Sequence, residues 1–329
     1  MKKYGYKTKY GECICTDSLI GLQSLDDNSI DLVMTSPPFA LQREKEYGNK
    51  SQSDYIDWFC QFAELVYNKL KETGSFVIDL GGAYQKGEPA YSLYQFKLLI
   101  KLCEEVGFEL AQPFYWHNPS ALPAPIEWVN KRKIRAKNSV NTIWWLCKNP
   151  KLCKADITKV LTPYSDRMLK LLEKPTEFIK QENTIRPSGH VLGMSSWTKD
   201  NGGAIPPNML QIPNSESNSK YLKYCKAMNV KGHPARFPIA LPEFFIKFLT
   251  EQNDLVVDIF GGSNTTGQAA EQLKRKWLSF ELSKDYVAAS SFRFIENSKD
   301  LDCVYSNILN ENFIDLTDLI EVEQLLLLG

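Results

Sequence analysis

The stretch that most restricts the fold is Ile30-Asp31-Leu32-Val33-Met34 followed by Thr35-Ser36-Pro37-Pro38-Phe39. The apolar run predicts a buried strand. Two consecutive prolines end it, because each ring fixes φ and removes an N–H. What remains is a stiff loop at the strand's carboxyl end, presenting the small hydroxyl of Ser36, carbonyls without local donors and the aromatic face of Phe39. Open α/β sheets hold their ligands at that end of the strands. A Pro-rich surface turn would account for the same residues, so the choice rests on a second motif far downstream.

Around this strand the chain alternates. Glu12-Cys13-Ile14-Cys15-Thr16 predicts a short strand, and Asp17-Ser18 a helix N-cap before Leu19, Ile20, Leu22 and Leu25. Asp17 is thereby either a cap or an acid facing a ligand. Behind Asp54, residues Ile56, Phe59, Ala63, Val66 and Leu70 recur at helical spacing, with Gly74 as the expected stop. Residues 75–80 predict the next strand, with Asp79 near its end before Gly81-Gly82. A helix over 92–106 closes at Gly107, and strands follow near 109–116 and 141–147. This β-α-β-α-β alternation predicts a parallel, doubly wound sheet. Residues 42–53 are polar and read as a mobile loop. From about 148 to 231, periodicity weakens and Pro, Asn, Ser and Lys accumulate, so the stretch reads as an insert outside the main sheet.

Order returns at His233-Pro234-Ala235-Arg236-Phe237-Pro238, followed by a helix near 242–251. Leu255-Val256-Val257-Asp258-Ile259-Phe260-Gly261-Gly262-Ser263-Asn264-Thr265-Thr266-Gly267 is then a buried strand, a Gly-rich turn and a helix start. Lys276-Trp277-Leu278-Ser279-Phe280-Glu281 is a strand ending in an acid, 20 residues after Gly261. Strand, glycine turn, helix and a following strand-end acid form nucleoside-binding geometry: glycines let the backbone approach and the acid takes ribose hydroxyls. The spacing of a P-loop is present, but Gln268-Ala269 stands where Lys-Ser/Thr is needed, and Gly261-Gly262-Ser263 breaks the dinucleotide pattern. S-adenosylmethionine suits what remains, with Asp258 for its ammonium, Phe260 beside its sulfonium and Glu281 for its ribose. Gly261, Gly262, Ser263 and Thr265 would form the turn around it. In the usual methyltransferase sheet the chain would then begin at the third strand, ending in Asp17. Ser36 would end the fourth, Asp79 would lie at the end of the fifth, and the last third would supply the first two.

Composition adds limits. Of the 329 residues 43% are hydrophobic and 24% charged, ordinary for a globular chain. With a formal net charge of zero, any polyanion must be held by a local patch. Lys131-Arg132-Lys133-Ile134-Arg135-Ala136-Lys137 is the candidate, and a solvated loop or strand edge reads equally well. Eight cysteines without a C-x-x-C pair and three histidines argue against a structural zinc site, and no metal is expected. No cysteine follows a proline, so the Pro-Cys nucleophile of cytosine-C5 methylation is absent. The amino terminus lacks an apolar signal region and no apolar run could span a bilayer, so the expected location is cytoplasmic.

Ser36-Pro37-Pro38-Phe39 and Asp258-Ile259-Phe260-Gly261-Gly262-Ser263 resemble the catalytic loop and cofactor turn of the amino-methyltransferases of restriction–modification systems. The catalytic-loop-first order resembles their β group, and the cytosine-N4 members most. The resemblance covers most of the chain after the first ten residues. It departs from the broader group at Gly261-Gly262-Ser263-Asn264, where a clearer Gly-x-Gly is usual. It implies a doubly wound, mostly parallel methyltransferase sheet with circularly permuted motifs and an inserted target-recognition region. The implied parts are a catalytic half (10–148), the insert (149–231), a cofactor half (232–298) and a C-terminal extension (299–329). It further implies transfer of a methyl group from S-adenosylmethionine to the N4 amine of a cytosine flipped out of duplex DNA. Ser36 would be catalytic with Pro37, Pro38 and Phe39, and Asp79 its partner, although a buried acid bonded to a glycine-turn N–H fits Asp79 nearly as well. His233, Pro234 and Phe237 would line the methionine end of the cofactor pocket, where local packing is the other reading. Lys131, Arg132, Lys133 and Arg135 would contact phosphates. The implied partners are a short palindromic site, CAGCTG-like as the first test, and a cognate restriction endonuclease. Adenine-N6 methylation on the same scaffold, a DNA-binding module without activity and, more distantly, a nicotinamide oxidoreductase are the alternatives.

Overall fold

The computed structural model describes residues 3–39, 54–173, 199–215, 219–317 and 319; the polar stretch at 42–53 lies outside them. The chain divides into two compact units, Asp156–Pro207 and the remainder. The larger unit is built on ten strands: β1 (Gly5–Lys7), β2 (Gly11–Cys15), β3 (Ile30–Thr35), β4 (Leu70–Leu80), β5 (Glu109–His117), β6 (Val140–Cys147), β7 (Met209–Gln211), β8 (Leu255–Asp258), β9 (Lys276–Glu281) and β10 (Phe313–Asp315). They form one sheet in the order β10-β1-β2-β9-β8-β3-β4-β6-β5-β7.

The central run β2-β9-β8-β3-β4 is parallel throughout. Strands from both ends of the chain alternate in it, and β8 pairs directly with β3 through Leu32–Val256 and Val33–Val257. This is the permuted order expected from the two motifs. Because the five strands share one direction, Asp17, Glu281, Asp258, Ser36 and Asp79 all fall at their carboxyl ends. Beyond β4 the direction reverses: β6 runs antiparallel to β4, and β5 to β6. That reversal departs from the simple parallel alternation.

Helix α1 (Ser18–Gln23) starts at Asp17, whose carboxylate accepts from Leu19 N at 2.8 Å. Helix α2 (Tyr55–Lys69) lays Phe59, Ala63 and Val66 on the sheet against Val33, Phe76 and Ile78. Burying a side chain the size of Phe59 or Val66 contributes roughly 1.5–3 kcal/mol. Helix α3 (Tyr94–Lys101) runs on through a further turn to Gly107, at φ 99°. The expected helix stop at Gly74 is corrected. Helix α2 ends at Lys69 and β4 begins at Leu70, so Gly74 sits inside a strand, where the register with β3 shifts. A Cβ there would come within 2.9 Å of the Ile30 carbonyl oxygen; close approach of two strands is what requires glycine.

A second correction concerns 148–231. Met209–Gln211 joins the main sheet as β7, held parallel to β5 over Tyr115–His117. Periodicity could not announce a three-residue edge strand. Helix α4 (Asp166–Glu173) belongs to the smaller unit, where Thr162 and Ala204 bridge antiparallel and Asp200 accepts from Tyr164 Oη and Gly202 N. Helices α5 (Lys220–Ala227), α6 (Ala240–Leu249), α7 (Thr265–Gln272), α8 (Lys284–Ser290) and α9 (Leu301–Leu309) complete the larger unit. Among the described residues no helix is long and apolar enough to cross a membrane.

Candidate active site

The proline loop leaves β3 with Ser36 half-buried. Its hydroxyl donates to Asp79 Oδ2 at 3.0 Å, and Asn141 Nδ2, from β6, donates to Asp79 Oδ1 at 3.0 Å. The two donors fix the carboxyl from both sides. Asp79 is 1% exposed, and that burial pushes its pKa up to about 6 against the opposing pull of the two hydrogen bonds. Phe39 lies on Gly81, where a Cβ would come within 2.5 Å of its ring. Glycine there leaves room for the ring, which lines the same cavity as Asp79.

The glycine turn follows β8. Asn264 adopts φ 56°, and its side chain anchors the turn: Oδ1 accepts from Gly267 N and Ser279 Oγ, and Nδ2 donates to Tyr6 Oη. Gly262 also has positive φ, 52°, and a Cβ on it would meet His233 Cε1 at 3.2 Å. Gly262→Ala is expected to destabilise the fold by about 1–2 kcal/mol through the left-handed backbone alone, read as a lower midpoint in thermal unfolding. At the end of β9, Glu281 accepts from Gly262 N and Ser283 N, both at 2.8 Å. Burial raises its pKa, opposed by those N–H groups.

Asp258 differs from expectation. Thr35 Oγ1 and Thr266 Oγ1 donate to it at 2.7 Å each, and Phe260 N at 3.0 Å. It is 2% exposed, with its pKa raised chiefly by burial. Its carboxylate is turned inward, bracing the proline loop against the glycine turn; it does not face outward toward a ligand. Arg293 is an unanticipated second brace. This buried guanidinium donates to the Ser263 carbonyl, Ser263 Oγ, Thr265 Oγ1 and Gln268 Oε1, and lies 4.7 Å from the Tyr221 ring centroid. The signal was legible as a lone cation among Val287-Ala288-Ala289-Ser290-Ser291-Phe292-Arg293-Phe294-Ile295. Such a charge must find partners when buried.

Both motifs open onto one cavity of about 670 Å³ within the larger unit. Ser36, Pro37, Pro38, Phe39 and Asp79 line it, as do Asp17, His233, Phe237, Phe260, Gly261, Gly262, Ser263, Thr265 and Glu281. Phe260 packs against Trp58 and Phe62, with ring centroids 5.6 and 5.1 Å away. Asp258 and the exposed Pro234 are not in the lining, nor are Lys131, Arg132, Lys133 and Arg135. Those four are exposed on the β5–β6 loop, Lys131 paired with Glu127 at 3.2 Å and Arg135 donating to the Pro89 carbonyl. Sequence reasoning missed Asn141, Asn118, Asn214 and Arg236 in the lining. Only Asn141 carried a signal, a polar residue opening an apolar strand.

The N6/N4 methylase family model, a DNA methylase, matches residues 30–292. The chain belongs to this DNA methylase family. Among curated relatives of this methylase, the type II methyltransferase M.PvuII of Proteus hauseri is 60% identical over 322 residues, 97% of this chain and 95% of its own. Among solved structures, the PvuII DNA methyltransferase (cytosine-N4-specific) aligns with TM-score 0.77 at 52% identity, covering 96% of this chain and 98% of that one. The M1.HpyAVI–SAM complex shares the fold, with TM-score 0.50 at 19% identity over 86% of this chain and 98% of its own. The family match begins at β3, so Asp17, which lines the cavity just after β2, lies outside it.

Proposed function

We propose that this methylase transfers a methyl group from S-adenosylmethionine to the N4 amine of a cytosine everted from duplex DNA. The observation that carries the reading is that Ser36 and Gly261, encoded at opposite ends of the chain, line the same cavity. The residues present fit the cofactor. Glycine at 262 keeps open the space beside His233 that a Cβ would fill, and Glu281 lines the same wall with lone pairs beyond those its two N–H donors occupy. Gly261, Gly262, Ser263, Thr265, His233 and Phe237 would hold its methionine end, Glu281 its ribose, and Asp17 would sit at its adenine end. Phe260 would face the sulfonium. Asp258 and Arg293 would act indirectly, by holding the turn. When bound, the cofactor supplies an electrophilic methyl group on a cationic sulfur.

The chain's own task is to make a weak nucleophile attack. The exocyclic amine of cytosine shares its lone pair with the ring. Ser36 Oγ, already donating its proton to Asp79, keeps lone pairs free to accept one amine hydrogen. The Pro37 carbonyl accepts the other. Held at both hydrogens, the nitrogen can direct its lone pair across the cavity, and orientation does much of the work. Phe39 stacks on the base, worth roughly 1–3 kcal/mol. Methylation leaves the nitrogen with a surplus proton, which passes to Ser36 Oγ as the serine proton moves to Asp79.

The recognition site is a short palindrome, CAGCTG-like, and its modification blocks a cognate endonuclease. Lys131, Arg132, Lys133 and Arg135 contact phosphates and contribute a salt-dependent part of the affinity. Nucleoside mass spectrometry of plasmid DNA treated with enzyme and S-adenosylmethionine tests the chemistry. N4-methylcytosine is expected; N6-methyladenine would move the reading to adenine, and no methylated nucleoside would leave a DNA-binding module. Protection of the same plasmid against a panel of nucleases maps the site.

A further inference from the structure

We propose that Leu122 is the wedge that fills the gap left in the base stack when the target base leaves the duplex, an inference resting on the cavity being the pocket for that base. Leu122 is 82% exposed, the most exposed large apolar side chain among the described residues. A lone exposed leucine is ordinary. This one stands directly after Ala121, which lines the cavity together with Asn118, Asn138 and Ser139 of the same loop. Its place is therefore the rim of the pocket.

The loop is also built to hold it there. Lys137 Nζ donates to the Ala121 carbonyl at 2.9 Å and to Pro119 at 3.4 Å, Ala121 N donates to Asn118 O at 3.1 Å, and Asn138 N to Ala124 O at 3.0 Å. Prolines 119, 123 and 125 remove further freedom. A side chain presented on so restrained a backbone keeps its aim. The same loop carries five cations over 131–137, so the surface that would meet phosphates also bears the apolar tip. Ile126, 61% exposed, is the nearest rival in this loop, but neither it nor its chain neighbours line the cavity.

Everting a base leaves two stacked faces apart, and an apolar side chain inserted between them lowers the cost of that state. Leucine is branched and uncharged, able to cover part of both faces. It would act as a positioning residue, without touching the reacting atoms.

The test compares wild type, Leu122→Ala and Leu122→Met in single-turnover methyl transfer on two duplexes. Both carry one copy of the site found by plasmid protection, CAGCTG being tried first. One is fully matched; in the other the target cytosine faces an abasic site, which removes pairing to the opposite base. Leu122→Ala is expected to lose about tenfold or more on the matched duplex and little on the second. Leu122→Met is expected to recover most of the loss. Equal rates for Leu122→Ala and wild type on the matched duplex would overturn the wedge, as would an equal loss on both duplexes. A wild-type enzyme that methylates neither duplex would instead overturn the DNA reading itself.

Discussion

Replacing Ser36 by alanine is expected to lower kcat by about 10²–10⁴-fold, the range lost when a positioned proton-transfer group is removed, with S-adenosylmethionine affinity close to wild type. The separation follows from how the two halves are held. The glycine turn keeps its shape through Asn264, through Arg293 and through Asp258, whose link to the proline loop is Thr35 and not Ser36. Removing one hydroxyl leaves those bonds, and Pro37 and Pro38 still fix the loop's course. What disappears is the oxygen that accepts an amine hydrogen and the donor to Asp79 Oδ2. Single-turnover rates set against calorimetric titration with the cofactor check both halves. A Ser36→Ala enzyme that keeps wild-type kcat would leave the Pro37 carbonyl as the only group orienting the amine.

The parts of this architecture that were legible in sequence are those encoded contiguously. A strand run into two prolines, and a strand run into Gly261-Gly262, each state where a chain ends a strand and what it exposes there. Their order along the chain, with the cofactor reading, was enough to expect a permuted sheet, while the pairing of β8 with β3 is given by the structure. Side-chain direction was not legible. Asp258 reads as a ligand-facing acid because it ends a strand, but it points inward, drawn by two threonine hydroxyls, one of them far away in the chain at Thr35. Asn141 holds Asp79 from an antiparallel strand that arrives after a long loop, and no local pattern links the two. Gly74 misled because a glycine after a helix and a glycine at a strand bulge look alike until register is known. The pair formed by Leu122 and the cations that follow it was visible as residues, but only the cavity lining gives that pair a place.

The pH dependence of the same site is expected to separate chemistry from stability, because Asp79 acts on them with opposite signs. Its folded-state pKa is raised to about 6 by burial. As a carboxylate it can take the Ser36 proton, so the single-turnover rate should rise with pH through about 6 and fall below it. In Asp79→Asn the amide can still accept the Ser36 hydrogen bond but cannot take its proton. A loss of at least about 10²-fold is expected, with the pH step at 6 gone. Stability runs the other way. A carboxyl whose folded pKa lies above its unfolded value contributes stability that is fully present below the unfolded pKa and is lost as pH rises through about 6. Above pH 6, holding the charge buried therefore costs the wild type on the order of 3 kcal/mol relative to a neutral group there. Asp79→Asn should melt at a higher temperature than wild type at pH 8, and the gap should close as pH falls toward 4. Melting curves at both pH values, beside the rate profiles, read the two effects on one pair of proteins. A wild-type rate that stays flat from pH 5 to 8 would remove Asp79 from the proton path, whatever the melting curves show.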